Sequence, residues 1–160
     1  MTALARFFAL GVGVVVASVL IVAVSAQASP EIGTWKLNVA KSKFSPGPAP
    51  KSQTVTFTAA GQGVKVTTEG VGADGSKTAQ SYTANYDGKD VPLTGSATTD
   101  TVSLKRISAT TVERTDKKAG KIGQTITRVM SADGKTLTIT TKGTNAQGQA
   151  VNNVGVYEKQ

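Results

Sequence analysis

The chain contains no cysteine and no histidine, and a single tryptophan among its 160 residues. Without cysteine there is neither a disulfide framework nor a thiolate metal site. Without histidine the commonest general base is gone, and with it the serine triad in its usual form and the usual zinc sites. These absences disfavour an enzyme, leaving carboxylate, lysine or tyrosine chemistry open. No metal and no cofactor is expected. Large apolar residues are also scarce. Leu, Ile, Val and Phe make up 23 of the 132 residues from Ser29 onward, below the ~20% level at which disorder becomes a concern. Two features outweigh the shortage: net charge per residue is small, and the apolar residues recur at period 2. Threonine, 22 residues over the same stretch, fills the alternate positions and is β-branched and strand-favouring.

A long apolar run occurs once. Phe7 to Val24 carries no charge and follows a short basic head at Arg6. Ala26-Gln27-Ala28 has the small-x-small pattern that a signal peptidase cuts after, leaving Ser29 as the new N-terminus. The expectation is a signal peptide over residues 1–28 and a single domain over residues 29–160. The protein would be exported, to the periplasm or the outside. The alternative is an uncleaved anchor, because the run approaches the length of a spanning helix. The formal net charge is +8, yet the lysines are scattered, with no run longer than Lys117-Lys118. A nucleic-acid binder clusters its positive charge and exposes aromatics, so no nucleic-acid partner is expected. Scattered lysine on β-edges guards against aggregation. Weak attraction to an anionic membrane surface stays open. A monomer is expected.

Thr34 to Val39 reads as a first strand with Trp35, Leu37 and Val39 on one face. Ser45-Pro46-Gly47-Pro48-Ala49-Pro50 excludes helix and central strand, and reads as an extended crossing over one end of the domain. From Gln53 onward, short alternating runs are cut by turn signals, among them Gly61-Gln62-Gly63, Asp87-Gly88 and Asp133-Gly134. The connections are short, so strands adjacent in sequence should pair antiparallel. The fold class is all-β: an antiparallel up-and-down meander of about 8–10 strands closing into a barrel, which removes exposed edges. A β-sandwich is the second choice. No internal repeat accompanies threonine triplets such as Thr136-Leu137-Thr138, which argues against a solenoid or an ice-binding face.

The opening Gly33-Thr34-Trp35-Lys36-Leu37 resembles the Gly-x-Trp start of the lipocalins, and more closely that of the fatty-acid-binding proteins. Asp133-Gly134-Lys135-Thr136-Leu137 is similar to their penultimate hairpin, and Val156-Tyr157-Glu158-Lys159 to their last strand. The resemblance covers the two ends only. It implies a lipocalin-like, calycin β-barrel with Gly33 and Trp35 as its structural motif, Trp35 plugging the closed end. It also implies a ligand carboxylate held by two arginines and a tyrosine. Arg128 stands one residue out of spacing for the first arginine, and Tyr157 matches the tyrosine. Gly155 occupies the position of the second arginine, so one anchor is missing. The helix-turn-helix lid of those proteins is replaced by the proline-rich stretch.

Apart from any resemblance, each arginine after Ser29 falls in the apolar phase of its run: Val102-x-Leu104-x-Arg106, Val112-x-Arg114 and Ile126-x-Arg128. An unpaired buried charge is very costly. Either Arg106, Arg114 and Arg128 form a cationic cluster for an anionic head group, or they pair with internal carboxylates such as Asp116, or a bulge turns them outward. Two functions remain. One is a non-catalytic carrier or sensor of a small hydrophobic or amphipathic, anionic ligand. The other is a structural or interaction domain of the cell envelope whose interior is filled by side chains.

Overall fold

The computed structural model describes residues 29–160, and the expected signal segment lies outside the described residues. Ten strands follow one another: β1 (Gly33–Leu37), β2 (Ser52–Ala60), β3 (Gly63–Val71), β4 (Lys77–Ala84), β5 (Val91–Pro92), β6 (Thr101–Arg106), β7 (Thr111–Lys118), β8 (Lys121–Met130), β9 (Thr136–Thr144) and β10 (Ala150–Lys159). Among the described residues the one helical element is the 3-10 turn Val39–Lys41. It cuts the first strand shorter than the alternation predicts. The Asn38 side chain accepts from the Lys41 backbone N–H, and Val39 turns out to solvent.

All ten strands join one antiparallel sheet in the order β4-β3-β2-β1-β10-β9-β8-β7-β6-β5. First and last strands meet in its middle, with Trp35 opposite Lys159 and Leu37 opposite Tyr157. The sheet curls until its two edge strands approach each other, giving the expected meander as a nearly closed barrel. Alternation sorts the faces as the sequence implies. Val55 and Phe57 of β2 are buried while Thr58 of the same strand is exposed, and Leu137 of β9 is buried between outward Thr136 and Thr138. At Asp133-Gly134 the chain turns as a hairpin, with Gly134 at φ +67° and the Asp133 carboxylate accepting from the Ser131 hydroxyl at 2.6 Å.

Asp87-Gly88 does something else. It does not fold β5 back onto β4. Instead the Gly88 N–H donates to the Leu104 carbonyl at 2.8 Å, and Asp87 bridges to Lys105 of β6. Here the meander leaves a seam. The seam is tied by reciprocal backbone bonds between Ser81 and Thr94, of 3.1 and 3.0 Å. Gly95, at φ +80°, makes this approach possible, because a Cβ there would collide with the Ala79 carbonyl oxygen.

The two ends of the barrel are unlike. Where β1 begins, the interior is solid: Trp35, Phe57, Val64 and Leu137 have almost no exposed surface. Where β1 ends, the proline-rich connection to β2 runs beside β10. Lys43 and Val154 exchange backbone bonds, the Ser45 carbonyl accepts from the Asn152 N–H, and Phe44 and Pro50 reach the mouth of the lumen.

Candidate functional site

A cavity of about 280 Å³ occupies the lumen at the open end. Its polar lining comes from strand termini at that end. Gln53, Gln80, Gln124 and Asn153 stand near the starts of β2, β4, β8 and β10, and Thr68 and Thr141 near the ends of β3 and β9. Its apolar lining, including Phe57, Val66 and Ile139, lies deeper along the same strands. The cavity is therefore amphipathic, and its charged members are Arg114, Asp116 and Arg128.

The inward phase of the arginines brings Arg114 and Arg128 into the lumen wall, but the three do not converge on one point. Arg114 of β7 is held by its own neighbour in phase. Its Nε and Nη2 donate to the two oxygens of Asp116 at 2.5 and 2.7 Å, a two-pronged charge-assisted pair. Its guanidinium also lies 4.9 Å from the Tyr82 ring centroid. A register shift in β7–β8 falls between Asp116 and Lys117, past Arg114, so the bulge leaves Arg114 facing inward and frees Lys117 to pair with Asp90.

Arg128 of β8 is 4% exposed. Its Nη1 donates to the Tyr82 hydroxyl at 3.3 Å, and its guanidinium stands over the Phe57 ring at 4.9 Å. The Glu31 carboxylate lies 3.4 Å from Nε. That distance makes an ion pair, yet Nε is not aligned to donate to it, and Nη2 also lacks an acceptor. Glu31 is itself buried. It accepts from the Tyr86 hydroxyl at 2.6 Å, and its backbone carbonyl accepts from the Trp35 indole N–H at 2.8 Å. Arg106 lies at the filled end, away from the cavity, stacked on Tyr86 at 4.0 Å and donating to the Ser29 hydroxyl at 3.1 Å.

Tyr157 faces inward and is buried, with Gly155 in the same phase. Its hydroxyl donates to the Gln53 side-chain oxygen. Burial pushes its pKa above the ordinary value of 10. Gly155 is there because of this ring: a Cβ would sit 2.8 Å from Tyr157 Cε2 and 3.5 Å from Leu37 Cδ1. The space an arginine would need at position 155 is filled by the tyrosine. Gly33 and Trp35 open β1 as the motif implies; Trp35 is fully buried, and Lys159 caps its ring at 5.2 Å. Among the described residues no group of three or more acidic side chains converges as a metal site.

Sequence reasoning named Asp116 but missed Glu31, Tyr82 and Gln53. Glu31 precedes the first alternating run, so periodicity says nothing of it. The usable signal is scarcity: a buried arginine needs a carboxylate, and the chain has only ten acidic residues. Tyr82 shares the parity of Ala84 on β4, which does place it inward.

No protein-family model matches the sequence, and a search of curated proteins finds no match. Solved structures that resemble the fold include the following two. A redesigned β-barrel superposes with a TM-score of 0.48 at 14% identity, over 82% of this chain and 93% of its own. Zebrafish ileal bile acid-binding protein, solved with cholic acid, superposes with a TM-score of 0.52 at 16% identity, over 82% of this chain and 100% of its own. With ten antiparallel strands, first and last paired and a seam between β4 and β5, the chain has the fold of the lipocalin and fatty-acid-binding-protein barrels.

Proposed function

We propose that the protein is an exported, non-catalytic carrier or sensor of a small hydrophobic or amphipathic molecule held in the barrel lumen. The observation that carries this reading is the cavity of about 280 Å³ inside a barrel whose other end is solid. Ligand sites span roughly 300–1,000 Å³, so the occupant is small or extends out through the polar mouth. The lack of histidine and cysteine supports a non-catalytic role. The apolar run ahead of Ala26-Gln27-Ala28 supports export to the periplasm or beyond, with the chain starting at Ser29.

The second reading, an envelope domain that binds nothing, has one observation in its favour: Arg114 and Arg128 are each matched by an internal carboxylate. Calorimetric titration with a panel of small amphiphiles separates the two. Trp35 does not line the cavity, so tryptophan emission is a poor reporter. Saturable one-to-one binding that raises the melting temperature supports the carrier. No heat and no thermal shift across the panel favours the second reading. Mass spectrometry of the protein recovered outside the cytoplasm tests export, with a chain beginning at Ser29 as the expected result.

A further inference from the structure

The lumen carries no spare charge. Its wall holds two cations, Arg114 and Arg128, and one anion, Asp116. Asp116 occupies two donors of Arg114 at 2.5 and 2.7 Å. Glu31, behind the wall, places its carboxylate 3.4 Å from Arg128 Nε. Two positive groups thus face two negative ones. The Arg128 nitrogens that lack an acceptor, Nε and Nη2, are fully buried and present no surface to the cavity. An anionic head group entering here would shed its hydration and meet one guanidinium already committed to Asp116 and a second whose free donors lie out of its reach, which is unfavourable. An uncharged head group sheds less. It also meets side chains suited to it, because Gln80, Gln124, Thr68, Thr98 and Thr141 both donate and accept.

We infer that the ligand is an uncharged amphiphile, with an alcohol, ester or amide head group, and that Asp116 sets this preference by neutralising Arg114. This rests on the carrier reading. In that role Asp116 is a specificity-determining residue: it keeps a carboxylate ligand out by occupying the cation that would bind it.

The test compares decanol with decanoate by calorimetry, at a pH where the acid is ionised. Wild-type protein should bind decanol at least as tightly as decanoate. Asp116→Asn frees Arg114 and should shift the affinity ratio toward decanoate by about tenfold or more, whereas Asp116→Glu should keep the wild-type order. A wild-type preference for decanoate of about tenfold overturns the inference while leaving the carrier reading intact. So does an Asp116→Asn protein that folds and keeps the wild-type ratio. If Asp116→Asn does not fold, the wild-type comparison decides alone. No saturable binding of either compound removes the carrier reading and the inference with it.

Discussion

The filled end and the open end of this barrel are built from the same ten strands by opposite choices at inward positions. At the filled end those positions hold Trp35, Val64, Met130 and Leu137, and the turn Ser29–Ile32 closes the floor beneath them. At the open end, the inward positions of the same strands become Thr68, Gln80, Gln124, Thr141 and Asn153. A sheet tolerates either choice, since strand preference depends on what each face packs against more than on the backbone. The shortage of large apolar residues is thus localised. The filled end buries its inward side chains, and the open end leaves a cavity of about 280 Å³.

The lumen also holds two inward ion pairs, and these differ in kind. Arg114–Asp116 is aligned and two-pronged, and forms within one strand. Arg128–Glu31 is at 3.4 Å, unaligned, and links β8 to the segment ahead of β1. The second ties the floor to the barrel and shares Glu31 with Tyr86.

The contrast can be broken at several points, beginning with the largest effect. Trp35→Ala should destabilise the protein by ~3–5 kcal/mol in urea melts, the range for deleting a large buried aromatic. A loss under about 1 kcal/mol would contradict its role at the filled end. Arg128→Met strands the buried Glu31 carboxylate, which keeps only the Tyr86 donor. The ligand-free protein should lose about 3 kcal/mol, the lower part of the range for breaking a buried pair. An unchanged melt would mean the Glu31 pair contributes nothing.

Tyr157→Phe keeps the ring against Gly155 and removes the bond to Gln53, so about 1 kcal/mol should go. The smallest effect is alkaline. Burial, together with donation to Glu31, pushes the Tyr86 hydroxyl up to about 12 from its ordinary 10. Above pH 10 the unfolded chain releases this proton before the folded one does. The stability due to Tyr86 is therefore full below pH 10 and falls as pH rises toward 12. Because the ring is only partly buried, screening reduces the loss to roughly 1 kcal/mol or less. Tyr86→Phe should flatten that part of the pH profile relative to wild type.

How far the sequence showed this architecture depends on the end in question. Strands were legible wherever an apolar residue alternates with threonine, as in Val55, Phe57 and Leu137, and the fold class followed from their number and spacing. The Gly-Thr-Trp start and Val-Tyr-Glu-Lys end sit on strands that do pair, β1 with β10. The open half was hard to read because its inward residues are Thr, Gln and Asn, the same types that face solvent on the outside. No period-2 contrast survives there. The inward phase of Arg114 and Arg128 could be read from their apolar neighbours, but Glu31 could not, since it lies before any periodic run. The seam was masked by Asp87-Gly88, a hairpin signal that long-range pairing with Leu104 and Lys105 overrides.

A chain without cysteine permits a direct test of the two-ended lumen. Single cysteines can be placed at Thr141, inward at the open end, at Val64, inward at the filled end, and at Ser108 as an exposed control. Under native conditions a small maleimide should modify Thr141→Cys at a rate approaching that of Ser108→Cys, while Val64→Cys stays protected until the protein unfolds. Protection of both inward sites would mean that the lumen is filled throughout, and modification of both would mean that the floor is not closed.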